Sequence, residues 1–161
     1  MTSVKRLSAD DWQDWRDLRQ EALLEAPYAF GSSLADWQGA GDTEERWRNR
    51  LSSVEFNAIA LLDGDRVGMV SGSLAGEDPE LISMWIVPSA RGRGVGDALI
   101  GAVIDWARTE KCSKLVLRVM EQNVRAVALY GRNGFEDRGP ADTVDAGGPA
   151  ERWMTVNLPL A

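Results

Sequence analysis

The order of apolar and polar residues divides the chain into segments with two different periods. Trp12, Trp15, Leu18, Ala22 and Leu23 recur at three- or four-residue steps, while Asp14, Arg16, Asp17 and Glu21 fill the intervening positions. This predicts an amphipathic helix that begins after Ser8-Ala-Asp-Asp and ends before Pro27. A short strand, Val4 to Leu7, precedes it. Ala26 to Ser33 reads as a loop carrying two aromatic residues. Thr43 to Leu51 predicts a second short amphipathic helix; Thr43 has no acidic residue three positions on, so no full capping box marks its start. From Phe56 the pattern becomes strand-like. Phe56 to Leu62 and Arg66 to Leu74 flank Asp63-Gly64-Asp65, a hairpin turn, and Gly68 and Gly72 keep the second strand slim. Leu81 to Val87 is apolar on both alternating sets, which predicts a central strand covered on both faces. A helix from Val95 to Glu110 follows, with Val95, Leu99, Ala102, Val103 and Trp106 as its stripe. Next come a strand, Lys114 to Met120, and a helix, Asn123 to Asn133, closed by Gly134. Phe135 opens a weak strand, Asp142 to Ala150 is a loop, and Arg152 to Leu158 is the last strand.

Strands in sequence, then a strand–helix–strand–helix unit, then an antiparallel finish predict an α/β (α+β) fold with a mixed, mostly antiparallel sheet. The crossover through the Val95 helix makes Leu81–Val87 and Lys114–Met120 a parallel pair. With 161 residues, no repeat and no long linker, residues 1–161 are expected to form a single domain. The formal net charge of −7 argues against a nucleic-acid partner held by phosphate attraction. No apolar run has the length of a membrane span, and the N-terminus lacks the apolar core of a signal peptide, so a cytoplasmic location is expected. The chain has no histidine and one cysteine, Cys112. Triads that need histidine are excluded, no metal site is expected, and Cys112 reads as a bystander.

Pro88 stops the central strand, and Gly92, Gly94 and Gly96 follow at alternate positions before the helical pattern begins. A strand, a glycine-rich turn and a helix N-terminus together make an anion site. The backbone can lie directly against a ligand, main-chain N–H groups converge, and the helix dipole adds positive potential. The dinucleotide fingerprint G-x-G-x-x-G fails because Asp97 stands where its third glycine should be. The P-loop fails because the chain contains no Gly-Lys pair.

What remains, Arg91-x-x-Gly94-x-Gly96 after a strand, resembles the pyrophosphate loop of the GCN5-related N-acetyltransferases, the GNAT superfamily. The second signature of that superfamily, N-x-x-A-x-x-L-Y-x-x-x-G-F, is matched by Asn123, Ala126, Leu129, Tyr130, Gly134 and Phe135. The resemblance implies an acetyl-CoA-dependent N-acetyltransferase acting by direct attack in a ternary complex, with a small-molecule or peptide amine as acceptor. It also leaves open a homodimer paired through the sheets. For coenzyme A it implies main-chain contacts from Ile86 and Val87 to pantetheine. It places the diphosphate on Arg91, Gly92, Arg93, Gly94, Val95, Gly96 and Asp97, and further contacts on Asn123, Ala126 and Tyr130. Asn123, Ala126 and Tyr130 share a helix face by their spacing. Asn123 reads equally well as a plain N-cap. Tyr130 is the general acid for the departing thiolate, its alternative being a core tyrosine bonded to a backbone carbonyl. Glu80, eleven residues before Arg91, stands where some family members carry their base; Asp78, or a water chain, could serve instead. Two other readings stay open: an acyl-CoA sensor without turnover, and an unrelated phosphate-binding α/β domain.

Overall fold

The computed structural model describes residues 1–26, 34–141 and 150–159. Most of the loop expected at Ala26 to Ser33 and of the loop expected at Asp142 to Ala150 lies outside these residues. One seven-stranded sheet forms the frame, with strands β1 (Thr2–Arg6), β2 (Phe56–Leu62), β3 (Asp65–Ser73), β4 (Glu80–Ile86), β5 (Lys114–Met120), β6 (Glu136–Ala141) and β7 (Glu151–Asn157) in the order β1-β2-β3-β4-β5-β7-β6. Every pairing is antiparallel except β4 with β5, as the crossover predicted. The helices are α1 (Trp12–Glu25), α2 (Glu44–Ser53), α3 (Val95–Thr109) and α4 (Val124–Arg132). β2 and β5 keep the bounds read from the sequence, while those of β1, β3, β4 and β7 shift by one or two residues. Among the described residues no helix is long and apolar enough to cross a membrane.

Local chemistry accounts for the boundaries. Ser8 and Asp11 form a reciprocal capping box ahead of α1, and the Thr43 hydroxyl accepts the Arg46 N–H to start α2 without one. The β2–β3 turn places Asp63 at φ 52° and Gly64 at φ 89°. Positive φ at both central residues matches the twist of a two-residue hairpin. Gly134, at φ 91°, ends α4, and the Phe135 N–H returns to the Tyr130 carbonyl at 3.1 Å.

Each face of the sheet carries its own core. On one face α3 packs Leu99, Val103 and Trp106 against Phe56, Val70 and Leu117, and α4 adds Tyr130. Full burial of each such apolar side chain stabilises the fold by about 1.5–3 kcal/mol. The slim glycines of β3 explain how close α3 comes. A Cβ on Gly68 would lie 3.0 Å from Leu99 Cδ1, and one on Gly72 would overlap the Trp106 ring. On the other face, Trp15, Leu18 and Ala22 of α1 and Trp47 and Leu51 of α2 cover Ile59, Met69 and Trp85.

β4 departs from the expected picture. It is central, but only Leu81 and Trp85 are fully buried; Ile82, Met84 and Ile86 are half-buried. The pairing with β3 slips between Met69↔Trp85 and Ser71↔Ile82, and Ser83 adopts φ 57° at the slip. One extra residue reverses the alternation of side chains. Leu81 therefore joins the α3 face and Trp85 the α1/α2 face, although their spacing alone would put them together.

Candidate active site

The parallel strands separate almost as soon as they meet. Glu80↔Val116 is the one register pair between β4 and β5, supported by the Val116 N–H on the Pro79 carbonyl at 3.0 Å. Beyond it lies a cleft of about 530 Å³ lined by β4 from Leu81 to Ile86, the glycine turn, the end of β5 and one face of α4. Register decides which main-chain groups face the cleft. The Val87 N–H donates to the Val67 carbonyl at 2.9 Å, and the Val87 carbonyl accepts from the Ala90 N–H. Ile86, one residue earlier, therefore turns its N–H and C=O away from β3 and toward the gap. Of the two residues expected to offer main-chain contacts, Ile86 turns toward the gap, its carbonyl accepting from Arg91 Nε at 3.1 Å. The Val87 N–H and C=O are bonded to Val67 and Ala90, and Met84 also lines the cleft.

The turn after β4 gathers donors. Gly92 and Gly94 sit at φ 75° and 82° with open space where a Cβ would be, so the backbone there is bare. Gly94 is the N-cap of α3, and the first hydrogen bond of the helix runs from the Ala98 N–H to the Gly94 carbonyl at 3.1 Å. The N–H groups of Val95, Gly96 and Asp97 thus have no intrahelical acceptor. The Val95 side chain is buried in the core. Gly96 serves packing as well: a Cβ there would come within 2.7 Å of Leu129 Cδ2, so this glycine lets α4 close against α3. The Asp97 carboxylate is turned to α4, accepting from Asn133 Nδ2 at 2.9 Å with Arg132 at 3.8 Å.

Arg91 is not a freely solvated side chain. Its Nε donates to the Ile86 carbonyl at 3.1 Å and its Nη2 to both oxygens of Glu25. Glu25, at the end of α1, also accepts from Trp85 Nε1 at 2.8 Å. That bond first, then Arg91, hold its carboxyl below the usual range. Arg93 is exposed and lies apart from the cleft wall. Nothing in local sequence marks Glu25 as a brace of the turn, since it is sixty-six residues away from Arg91.

Asn123, Ala126, Leu129 and Tyr130 all line the cleft from α4. Asn123 is an N-cap, its Oδ1 accepting from the Ala126 N–H at 3.2 Å, and its NH₂ remains a donor toward the cleft. The N-cap reading is observed, and the residue also lines the cleft. The Tyr130 ring is buried edge-on to Phe135, with centroids 5.8 Å apart. Its hydroxyl makes no hydrogen bond among the described residues, so the core-tyrosine alternative, a bond to a backbone carbonyl, is absent there. Burial pushes the phenol up to about 12. Arg125 and Arg132, on the same helix, join Arg91 and Arg118 on the cleft wall. Their helical spacing of seven was legible, but the sequence did not single them out.

Glu80 lies one residue before the cleft wall begins, with its Oε2 3.2 Å from Arg118 Nε. Asp78 is 3.5 Å from Lys114. Neither carboxylate lines the cleft. Burial first, then the Glu110 and Asp78 carboxylates, push the Cys112 thiol up, which keeps it protonated and unreactive.

A strand edge that pairs with neither β3 nor β5, a bare turn at a helix N-terminus and arginines at the rim make a donor set suited to a long ligand ending in phosphates. Comparison with known proteins agrees with this. A family model described as Acetyltransferase (GNAT) family matches residues 10–135. An uncharacterised N-acetyltransferase of Methanocaldococcus jannaschii is 33% identical over 138 residues, covering 84% of this chain and 78% of that one. The L-2,4-diaminobutyric acid acetyltransferase of Nocardia farcinica is 31% identical over 120 residues, 68% of this chain and 62% of that enzyme, so the match spans less than two thirds of its length. Among solved structures, a GNAT-family acetyltransferase from Streptococcus pneumoniae superposes with TM-score 0.80 at 19% identity, covering 99% of this chain and 100% of that one. An acetyltransferase from Salmonella typhimurium, solved with its cofactor acetyl-CoA, gives TM-score 0.77 at 18% identity over 99% and 95% of the two chains. The fold, the open β4–β5 pair and the sequence match together place the chain in the acetyltransferase (GNAT) family.

Proposed function

We propose that the chain is an acetyl-CoA-dependent N-acetyltransferase that acylates a primary amine, small-molecule or peptide, by direct attack within a ternary complex. The observation that carries this reading is the meeting, in one cleft, of the free α3 N-terminus and the Tyr130 hydroxyl. Acetyl-CoA supplies an activated acetyl thioester. The N–H groups of Gly94 to Asp97 hold the diphosphate, with Arg125 and Arg132 adding positive charge. The Ile86 main chain aligns pantetheine as an added strand would. Asn123 donates its amide N–H to the same arm. Tyr130 holds a proton at its hydroxyl for the departing thiolate, and its raised pKa keeps that proton in place at neutral pH.

The amine must lose a proton before or as it attacks. Glu80 is the proton sink in this reading, reached through water, because its carboxylate is tied to Arg118 outside the cleft wall. Relatives named for L-2,4-diaminobutyric acid and mycothiol acetylation support an amine acceptor of small size.

The test is a thermal-shift series with acetyl-CoA, ATP and NAD, followed by thiol-release assays over amine classes. Stabilisation by acetyl-CoA alone, with amine-dependent thiol release, is the expected result. Stabilisation without release for any amine would replace the enzyme by an acyl-CoA sensor, and stabilisation by ATP or NAD instead would remove both.

A further inference from the structure

The α1/α2 face of β4 holds a positive charge that has no carboxylate within ion-pair distance among the described residues. Arg50, near the end of α2, points into the sheet. Its Nη1 donates to Asn57 Oδ1 at 3.0 Å, and its Nη2 to the hydroxyls of Ser71 and Ser83, both at 3.2 Å. Its guanidinium carbon stands 5.0 Å from the centroid of the Trp15 ring. Among the described residues no carboxylate lies within ion-pair distance of Arg50. The buried Arg19 adds a second positive charge beside it. Desolvation and then that like charge lower Arg50 to about 10, which still leaves it cationic at neutral pH.

Such an arrangement is unfavourable in the free protein, because a desolvated cation without a counter-charge forfeits hydration that neutral oxygens only partly replace. It occurs in a chain with a formal net charge of −7 and no shortage of carboxylates. It also stands at a particular place. Ser83 is the residue at the β4 slip, with φ 57°, and it lines the cleft. Its hydroxyl accepts from Arg50, so its own proton is available to a ligand. Arg50 uses three of its five N–H donors on neutral oxygens, and its unbonded Nε is not sealed from the surface. The donors therefore sit behind the wall on the face opposite the glycine turn and α4. With coenzyme A on the glycine turn and α4, as the acetyl-transfer reading has it, this face is the side left for an acceptor.

We propose that Arg50, presented through Ser83, selects acceptors whose primary amine is carried on a molecule with a carboxylate, as in an amino acid. This deepens the acetyl-transfer reading and rests on it. Ser83 meets the acceptor's carboxylate away from the reacting nitrogen, and Arg50 is the positioning residue behind it.

The test uses matched acceptors: a diamino acid, its carboxamide, and the diamine that lacks the carboxylate. For the wild-type protein, kcat/KM is expected to be about 10- to 100-fold higher for the carboxylate than for either analogue, the range of a charge-assisted hydrogen bond. Arg50→Gln is expected to raise KM for the carboxylate toward that of the carboxamide, with kcat changed far less and the acetyl-CoA thermal shift retained. Arg50→Lys is expected to recover part of the preference. Binding is read separately, by calorimetric titration of each compound into the complex with coenzyme A, so the proposal is tested even without turnover. Equal or better use of the carboxamide or diamine by the wild type would overturn it, as would a full preference surviving in Arg50→Gln. If Arg50→Gln does not fold, the wild-type comparison alone decides. Loss of the acetyl-CoA shift in the wild type would instead refute the acetyl-transfer reading.

Discussion

Removing one oxygen from Tyr130 tests the proposed chemistry with little disturbance to the fold. Tyr130→Phe keeps the ring, its burial and its edge contact with Phe135 at 5.8 Å. The hydroxyl makes no hydrogen bond among the described residues, so no intramolecular bond is broken. Folding stability should therefore change by less than about 1 kcal/mol near pH 7. If the hydroxyl protonates the thiolate, its loss removes a general acid, an effect of about 10²- to 10⁴-fold, or roughly 3–5 kcal/mol of barrier. Steady-state thiol release should show kcat reduced by that factor, with the acetyl-CoA dissociation constant within about threefold of wild type by calorimetry. The pH dependence adds a second check. Burial raises the phenol from 10.0 to about 12, so the folded state retains a proton that the unfolded chain releases. The stability tied to this proton is intact below pH 10 and is lost as pH rises toward 12, by up to about 3 kcal/mol. Tyr130→Phe cannot lose it, so the variant should become the more stable protein across that window in urea titrations. An unchanged kcat would remove Tyr130 as the acid, and parallel stability profiles from pH 9 to 12 would contradict its buried, neutral state.

Three further outcomes follow from the packing and the turn. Gly94→Ala forces a side chain onto φ 82°, a strain of about 1–2 kcal/mol, and crowds the bare backbone; acetyl-CoA affinity by calorimetry should fall at least tenfold while the far-ultraviolet spectrum is kept. Gly72→Ala brings a methyl group into the Trp106 ring and should destabilise by about 1–3 kcal/mol in chemical denaturation. Asp42 accepts from Arg16 at 2.7 and 2.8 Å and from Trp47 Nε1 at 2.8 Å, and Arg16 first, then Trp47, hold its carboxyl well below the usual range. The stability this lends is complete above pH 4 and is lost on further acidification. Asp42→Asn should therefore cost about 1–3 kcal/mol at pH 7 and show a shallower decline between pH 4 and 2 in thermal melts.

Much of the site was legible because its two halves are local in sequence. The turn from Arg91 to Gly96 and the face from Asn123 to Tyr130 are each fixed by a few residues of strong conformational preference: glycine at positive φ, asparagine at an N-cap, small residues at helical spacing. What was illegible depended on distant partners. Glu25 holds Arg91 across sixty-six positions, and Arg118 takes up the Glu80 carboxylate across thirty-eight. The main-chain direction of Ile86 as against Val87 depended on a pairing register that apolar runs do not specify.

The sequence by itself determined the elements, the parallel crossover and the glycine turn that opens α3, because periodicity, glycine placement and capping act over a few residues. Tertiary structure alone decided that β4 slips at Ser83, that β4 and β5 part after Glu80, and that Arg50 arrives behind the slip with no carboxylate in ion-pair reach among the described residues. Those outcomes depend on how two cores on opposite faces pull on one strand, and no local pattern records that balance.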